Sequence, residues 1–194
     1  MPDGSLRRHE FDNDCEVDVE RELFERLDDG AVRTPTVLGP GFDGVLAVDV
    51  WRRWGAVYWL TVTGDGEWIS NIDLAQRKPD GSWDAMSGGG ARGDGWDAGW
   101  SPEIHSPSLL RVGELVGQDV EDEDGSDIEL VARTGYAAAG VTAVRVKFPD
   151  DERVVQVFPL LNAFVILGPE GPWALTALGA NDEELGIPVA VDSR

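Results

Sequence analysis

Two histidines, one cysteine and a run of carboxylates are the side chains with which this 194-residue chain could do chemistry. A general base with a pKa near neutral is most often histidine, so His9 and His105 come first. His9 lies in a polar arm that has nothing to hold its geometry. His105 stands in Glu103-Ile104-His105-Ser106-Pro107, with Ser106 and Ser108 beside it in sequence. Sequence neighbours rarely converge as nucleophile and base, because a triad draws its members from separated segments. His105 is thus the candidate catalytic residue, and a turn histidine is the simpler reading. Cys15, flanked by Asp14 and Glu16, has its thiolate disfavoured by like charge. One cysteine also rules out an intrachain disulfide and a cysteine-only metal site.

The run Glu121-Asp122-Glu123-Asp124-Gly125-Ser126-Asp127 has the oxygen ligands calcium takes. Setting Gly125 at the glycine of an EF-hand loop puts Val120 at the first ligand position and Val131 at the twelfth, where acids are needed, so the register fails. The run reads as a solvated acidic connector from Asp119 to Asp127, and no metal or cofactor is expected. Gly88-Gly89-Gly90 lacks the helix N-terminus and lysine of a phosphate-cradling loop. Arg92-Gly93-Asp94 matches an adhesion tripeptide by chance. Seven of the eight tryptophans fall between 51 and 100. Trp59, Trp68 and Trp83 belong to strands and go to the core. Trp96 and Trp100 stand in a glycine-rich stretch with few neighbours to cover them, and exposed aromatics mark binding surfaces. With Arg92, Asp122 and Asp124 they are the candidate partner- or ligand-binding residues.

The net charge of -21 is unevenly placed. Residues 1–29 hold eleven acids and four bases, and residues 112–130 hold eight acids and no base. Clustered lysine and arginine for phosphate backbones are lacking, so nucleic acid is a poor partner and a basic protein a better one. No stretch approaches the ~18 apolar residues of a membrane span, and the N-terminus lacks a signal-peptide core. A cytoplasmic protein that does not bind membranes is expected. Its oligomeric state is open.

Positioning falls to short strands. Val144, Val146 and Phe148 alternate with Arg145 and Lys147, and Pro149-Asp150-Asp151 turns the chain into Val154–Phe158. Ala163–Leu167 is a third run. Gly168-Pro169-Glu170-Gly171-Pro172 then forces Trp173–Leu178 to begin a separate strand, so 141–178 reads as a four-strand meander. A second meander of about four strands spans Val45–Met86, with its first two runs placed centrally and turns at Gly64-Asp65-Gly66 and Lys78-Pro79-Asp80-Gly81. The Pro79-Asp80 and Pro149-Asp150 hairpins look like a faint internal echo. Ser87–Pro107 reads as an irregular loop, and Ile187–Val191 as an edge strand broken by Pro188. A capping box at Asn13 and Glu16, with Val19, Leu23 and Leu27 at helical spacing, predicts one short helix over Asn13–Asp29.

The fold class that follows is mainly β: antiparallel meanders forming a β-sandwich or two packed β modules, with one short N-terminal helix. The boundaries are 1–44 for arm, helix and connector, 45–118 for the tryptophan-rich meander with its glycine-rich loop, and 119–194 for the second meander; 45–194 as one continuous domain is the alternative. Residues 128–180, with about five short strands and regular turns, resemble a small immunoglobulin-like sandwich without its cysteine and tryptophan hallmarks, and the resemblance carries no functional residue. The function expected is a non-enzymatic acidic interaction protein that binds a basic partner, in the manner of an inhibitor or immunity protein. The alternatives are a small-ligand or carbohydrate binder using Trp96 and Trp100, and an enzyme using His105.

Overall fold

The computed structural model describes residues 39, 41–94, 104, 107–159 and 161–192. The expected helix at Asn13–Asp29, together with His9, Cys15, Trp96, Trp100 and His105, lies outside the described residues. Eleven strands are described: β1 Phe42–Trp51, β2 Trp54–Val62, β3 Trp68–Arg77, β4 Trp83–Gly93, β5 Leu110–Glu121, β6 Asp127–Ala137, β7 Ala143–Lys147, β8 Glu152–Gln156, β9 Ala163–Pro169, β10 Pro172–Leu178 and β11 Glu184–Asp192. They form three antiparallel sheets, ordered β1-β2-β3-β4, β5-β6-β9 and β11-β10-β7-β8. The chain is mainly β, as its alternation and turn chemistry dictate.

Strand β9 explains the layering. Its apolar run cannot be one-sided, and the period of two sends Ala163, Val165 and Leu167 to one core and Phe164 and Ile166 to another. Strand β6 does the same with Leu130 and Ala132 against Val131. The β5-β6-β9 sheet is therefore a middle layer. One face packs on β1–β4 around Leu46, Trp54, Tyr58 and Ile72, and the other on β7, β8, β10 and β11 around Val144, Val146, Trp173 and Leu175. Residue 118, where a boundary was expected, falls inside β5.

The expected meander over 141–178 needs a correction. Its four strands and its turns are present, but β9 leaves for the middle sheet and β10 returns to pair with β7. The chain passes between layers at Glu170-Gly171, the two residues between β9 and β10, where Gly171 has a φ of 145° that favours glycine. A second correction concerns β1, which was placed centrally and is an edge strand. Its apolar density arises because both of its faces are covered: Leu46, Ala47 and Trp51 join the first core, and Val45 packs with Val57, Ala75 and Trp83 on the outer side of the sheet. Of the tryptophans assigned to the core, Trp83 is buried, while Trp59 and Trp68 are half-buried and pack against it.

The third correction is Ser87–Gly93, which is strand rather than loop and pairs with β3 through Asp73↔Gly88, Ile72↔Gly89 and Asn71↔Gly90. Glycine is required here for space. A Cβ on Gly90 would lie 2.0 Å from the Ser70 carbonyl oxygen, and one on Gly88 would lie 2.4 Å from the Asp73 carboxylate. The bare backbone leaves room for Asn71 Nδ2 to donate to Asp73 Oδ1 at 2.6 Å and for Trp59 Nε1 to donate to Asp73 Oδ2.

A buried ion pair ties the three layers together. Arg153 on β8 donates through Nη1 and Nη2 to the two carboxylate oxygens of Asp49 on β1, with 2.6 Å between Nη1 and Oδ1. The Leu167 amide of β9 donates to Asp49 Oδ2 at 2.7 Å, and Arg153 Nη2 also donates to the Leu167 carbonyl. β9 is an edge of its sheet, and at Leu167 the pair satisfies a donor and an acceptor that an edge would leave open. Burial raises the Asp49 pKa, opposed by the hydrogen bond and charge of Arg153 and by the Leu167 amide.

Candidate functional site

The acidic run closes the β5-β6 hairpin, with Asp119–Glu121 in β5 and Asp127 in β6 where a connector was expected, and its shape follows from a turn used four times among the described residues. In Thr63–Glu67, Lys78–Ser82, Asp122–Ser126 and Gly179–Glu183 the first residue's amide donates to the fifth residue's carbonyl, and the fourth residue's amide donates to the first residue's carbonyl. The fourth residue has positive φ in every case: Gly66 at 89°, Gly81 at 89°, Gly125 at 81° and Asp182 at 59°. Glycine, or an Asp that tolerates the left-handed region, is what this turn demands. The echo expected between Pro79-Asp80 and Pro149-Asp150 is instead between Lys78–Ser82 and Asp122–Ser126, both ending Asp-Gly-Ser. The Ser82 and Ser126 hydroxyls donate to Asp80 and Asp124, each at 2.6 Å. These hydroxyl bonds hold both carboxyls below the ordinary carboxylate range.

Behind the tip, β5 and β6 form a ribbon whose register sets Asp119 opposite Glu129 and Glu121 opposite Asp127. Directly opposed residues share a face and their Cβ atoms lie about 5 Å apart, so like charges there destabilise the pair. All four carboxylate residues are exposed, as are Glu123 and Asp124 at the tip.

Beside the tip lies a cationic cleft of about 470 Å³, lined by Arg52, Arg53, Gln76, Arg77, Lys78 and Glu123 among others. Of the six bases described between residues 41 and 111, four meet here. Arg52 and Arg53 form the two-residue β1-β2 turn, with Arg52 at a φ of 56° that side chains rarely adopt. Below them Trp51 and Trp54, paired across the strands, stack at 5.4 Å. The guanidinium of Arg52 sits 4.5 Å from the Trp51 ring, that of Arg53 5.2 Å from Trp54, and that of Arg77 5.7 Å from Trp83. The Arg77 amide donates to the Arg53 carbonyl at 2.7 Å, which fixes the two turns to each other.

The acidic tip meets this cleft. Arg52 pairs with Asp122, and Arg53 Nη2 donates to the Glu121 carbonyl. The Glu123 amide, followed by Arg52, holds the Asp122 carboxyl below its ordinary range. Lys78 pairs with Asp84 at 3.0 Å.

A separate polar seam runs between β1–β4 and the middle sheet. The register shift between Val112 and Leu115 is a bulge that leaves Gly113 and Glu114 opposite Thr134 and changes the face β5 presents. Val112 packs in the second core and Val116 in the first. Glu114 thereby reaches Ser70, which donates to its Oε1 at 3.3 Å, while the Tyr58 and Tyr136 hydroxyls bond at 2.6 Å nearby. Desolvation raises the Glu114 pKa, and desolvation with the neighbouring Tyr136 and Glu114 raises that of Tyr58.

Of the candidate residues read from sequence, Asp122 and Asp124 share the tip; Asp122 pairs with Arg52 of the cleft, and the charge of Arg52 also acts on Asp124. Arg92 lies elsewhere, exposed on β4 opposite Ile69. Sequence reasoning missed Arg52, Arg53, Arg77 and Lys78, and also the opposed Asp119 and Glu129. The available signal was two turns rich in bases within a chain that is otherwise acidic. Among the described residues no group of three or more His, Cys, Asp or Glu gathers to hold a metal, and no helix is long and apolar enough to cross a membrane. No protein-family model matches the chain, and no curated protein or solved structure is significantly similar to it.

Proposed function

We propose that the chain is a non-enzymatic interaction protein of the cytoplasm, whose β5-β6 ribbon receives a basic segment of a partner protein, as an inhibitor or immunity-type protein would. The observation that carries this is the register Asp119↔Glu129 and Glu121↔Asp127. Two opposed like charges about 6 Å apart in water cost each other ~0.7 kcal/mol, so the ribbon is built against its own stability. A cationic partner relieves that repulsion, and its approach is steered by the same field. The sandwich in which β6 and β9 face β7, β8 and β10 supports an immunoglobulin-like reading of residues 128–180, a scaffold suited to presenting a hairpin rather than enclosing a substrate.

The test is a variant in which Asp119→Asn and Glu129→Gln are combined. At low ionic strength its unfolding free energy rises by about 0.5–1 kcal/mol, while association with a lysine- and arginine-rich peptide slows and depends less steeply on salt. A variant no more stable than the parent, or one that binds the peptide undiminished, refutes the reading.

A further inference from the structure

We infer that the partner's basic segment enters as an added β-strand on the open edge of β5, extended, with lysine or arginine at every second residue and apolar or β-branched residues between. This rests on the ribbon's proposed role as a receiver of cations.

The first argument is the backbone. β5 is an edge of the middle sheet, and between Arg111 and Val120 its main chain bonds to no described residue outside β6. An edge strand turns every second amide and carbonyl away from its neighbour, ready to pair with a further strand. The bulge at Gly113 and Glu114 leaves Leu115–Glu121 as the regular stretch. Three of the other edges are short or obstructed: β8 has five residues, β11 contains Pro188, and β9 is capped at Leu167 by Asp49 and Arg153. Edges β1 and β4 have no carboxylates opposed across their ladders.

The second argument is the two faces of Leu115–Glu121. Val116 and Val120 are half-buried and pack against the first core, while Leu115, Asp119 and Glu121 are exposed on the opposite face. The register adds Glu129 and Asp127 from β6 to this acidic face. Gly117 keeps the face low. A Cβ there would lie 3.0 Å from Glu129 Oε1, so the Glu129 carboxylate extends across Gly117 onto the edge strand. An added strand alternates in the same way, with its same-face side chains about 6.6 Å apart. Its bases then meet the carboxylates on one face, and its apolar residues extend the row of Val116 and Val120 on the other.

The third argument is the choice of occupant. A second copy of the chain is disfavoured, because β5 itself holds Glu114, Asp119 and Glu121 against Arg111 alone. A helical basic segment would bring charge to this surface and leave the edge backbone unpaired.

Peptides of about eight residues, titrated into the full chain by calorimetry, test the inference. One alternates lysine with valine and threonine, and the other has the same composition with its lysines contiguous. The alternating peptide is expected to bind about tenfold more tightly, because it alone sets every base on the acidic face. Hydrogen exchange at alternate amides of Leu115–Glu121 is expected to slow in that complex. Two forms of the alternating peptide, methylated at the odd or at the even backbone nitrogens, should differ in affinity by about tenfold, since alternate amides of a strand point to opposite sides. Equal affinity of the alternating and contiguous peptides, or of the two methylated forms, overturns the added strand and leaves the ribbon's role standing. Binding of neither lysine peptide overturns both. Sedimentation of the free chain as a dimer, with every amide of Leu115–Glu121 already protected, assigns the edge to a second copy and overturns the inference as well.

Discussion

Removing the Asp49 carboxylate should be the most damaging single change in the described chain. Asp49→Ala leaves Arg153 charged, with a side chain only 19% exposed, and takes away the acceptor of the Leu167 amide. Breaking a buried pair from one side costs about 3–5 kcal/mol, and an orphaned buried amide costs about 1–3 kcal/mol; the two overlap, so a net loss near 4 kcal/mol is expected. Asp49→Asn keeps an acceptor for Leu167 and should cost less. Arg153→Met leaves a buried carboxyl that can take up a proton, so its penalty should shrink as the pH is lowered. The double variant Asp49→Leu with Arg153→Met removes both charges together and should be far less destabilised than the two single changes added. Urea unfolding followed by tryptophan fluorescence is the assay: with a slope of about 2 kcal/mol per molar, Asp49→Ala lowers the midpoint by roughly 2 M. Hydrogen exchange at the Leu167 amide should accelerate in the same variant. A midpoint shift below about 0.5 M, corresponding to ~1 kcal/mol, or strict additivity in the double variant, would refute the role given to this pair.

Two further outcomes can be checked alongside. Glu114 has its pKa raised from an ordinary 4.5 in the folded chain, so the fold binds extra proton. Its contribution is fully present below that ordinary value and is lost as pH rises through the folded pKa. Glu114→Gln should therefore flatten the decline of stability above pH 4.5, visible in urea midpoints across a pH series, and parallel curves for variant and parent would contradict this. Gly90→Ala forces a methyl against the Ser70 carbonyl and should cost about 1–3 kcal/mol by overpacking, with Gly39→Ala, where nothing lies within 4 Å, as the tolerant control in the same melt.

Much of the architecture is legible in the sequence because strands and turns are local. Alternation over Val144–Phe148 and the Asp-Gly turns announce themselves within a few residues. Sheet membership is not local. Whether Ala163–Leu167 joins β10 or β6 depends on which partner can bury its second face, and the pattern alone says only that both faces are apolar. The glycine triplet misleads for a related reason. Three glycines read as a loop until the neighbouring Asn71 and Asp73, which need the vacated space, are known to lie beside them. At the candidate site the tip was visible as an acidic run, but it reads as a connector and not as the Asp-Gly-Ser turn of a hairpin. The cleft was not visible, because Arg52-Arg53 and Arg77-Lys78 are 25 residues apart and are brought together by the pairing of β2 with β3. Asp49 was hidden in the apolar run Val48-Asp49-Val50, where a single carboxylate is easily taken for an outward-facing residue.

The shared middle layer has a consequence for how the chain could be divided. A protease cut within Asp124-Gly125 would sever no strand, yet it would leave β5 on one piece and its partner β6 on the other, with β1 on the first piece and the β9 it packs against on the second. Each piece would then carry half of one interior, and neither could close its apolar surface except on the other. Such a pair is a natural split reporter: two separately expressed halves that regain tryptophan burial only when mixed.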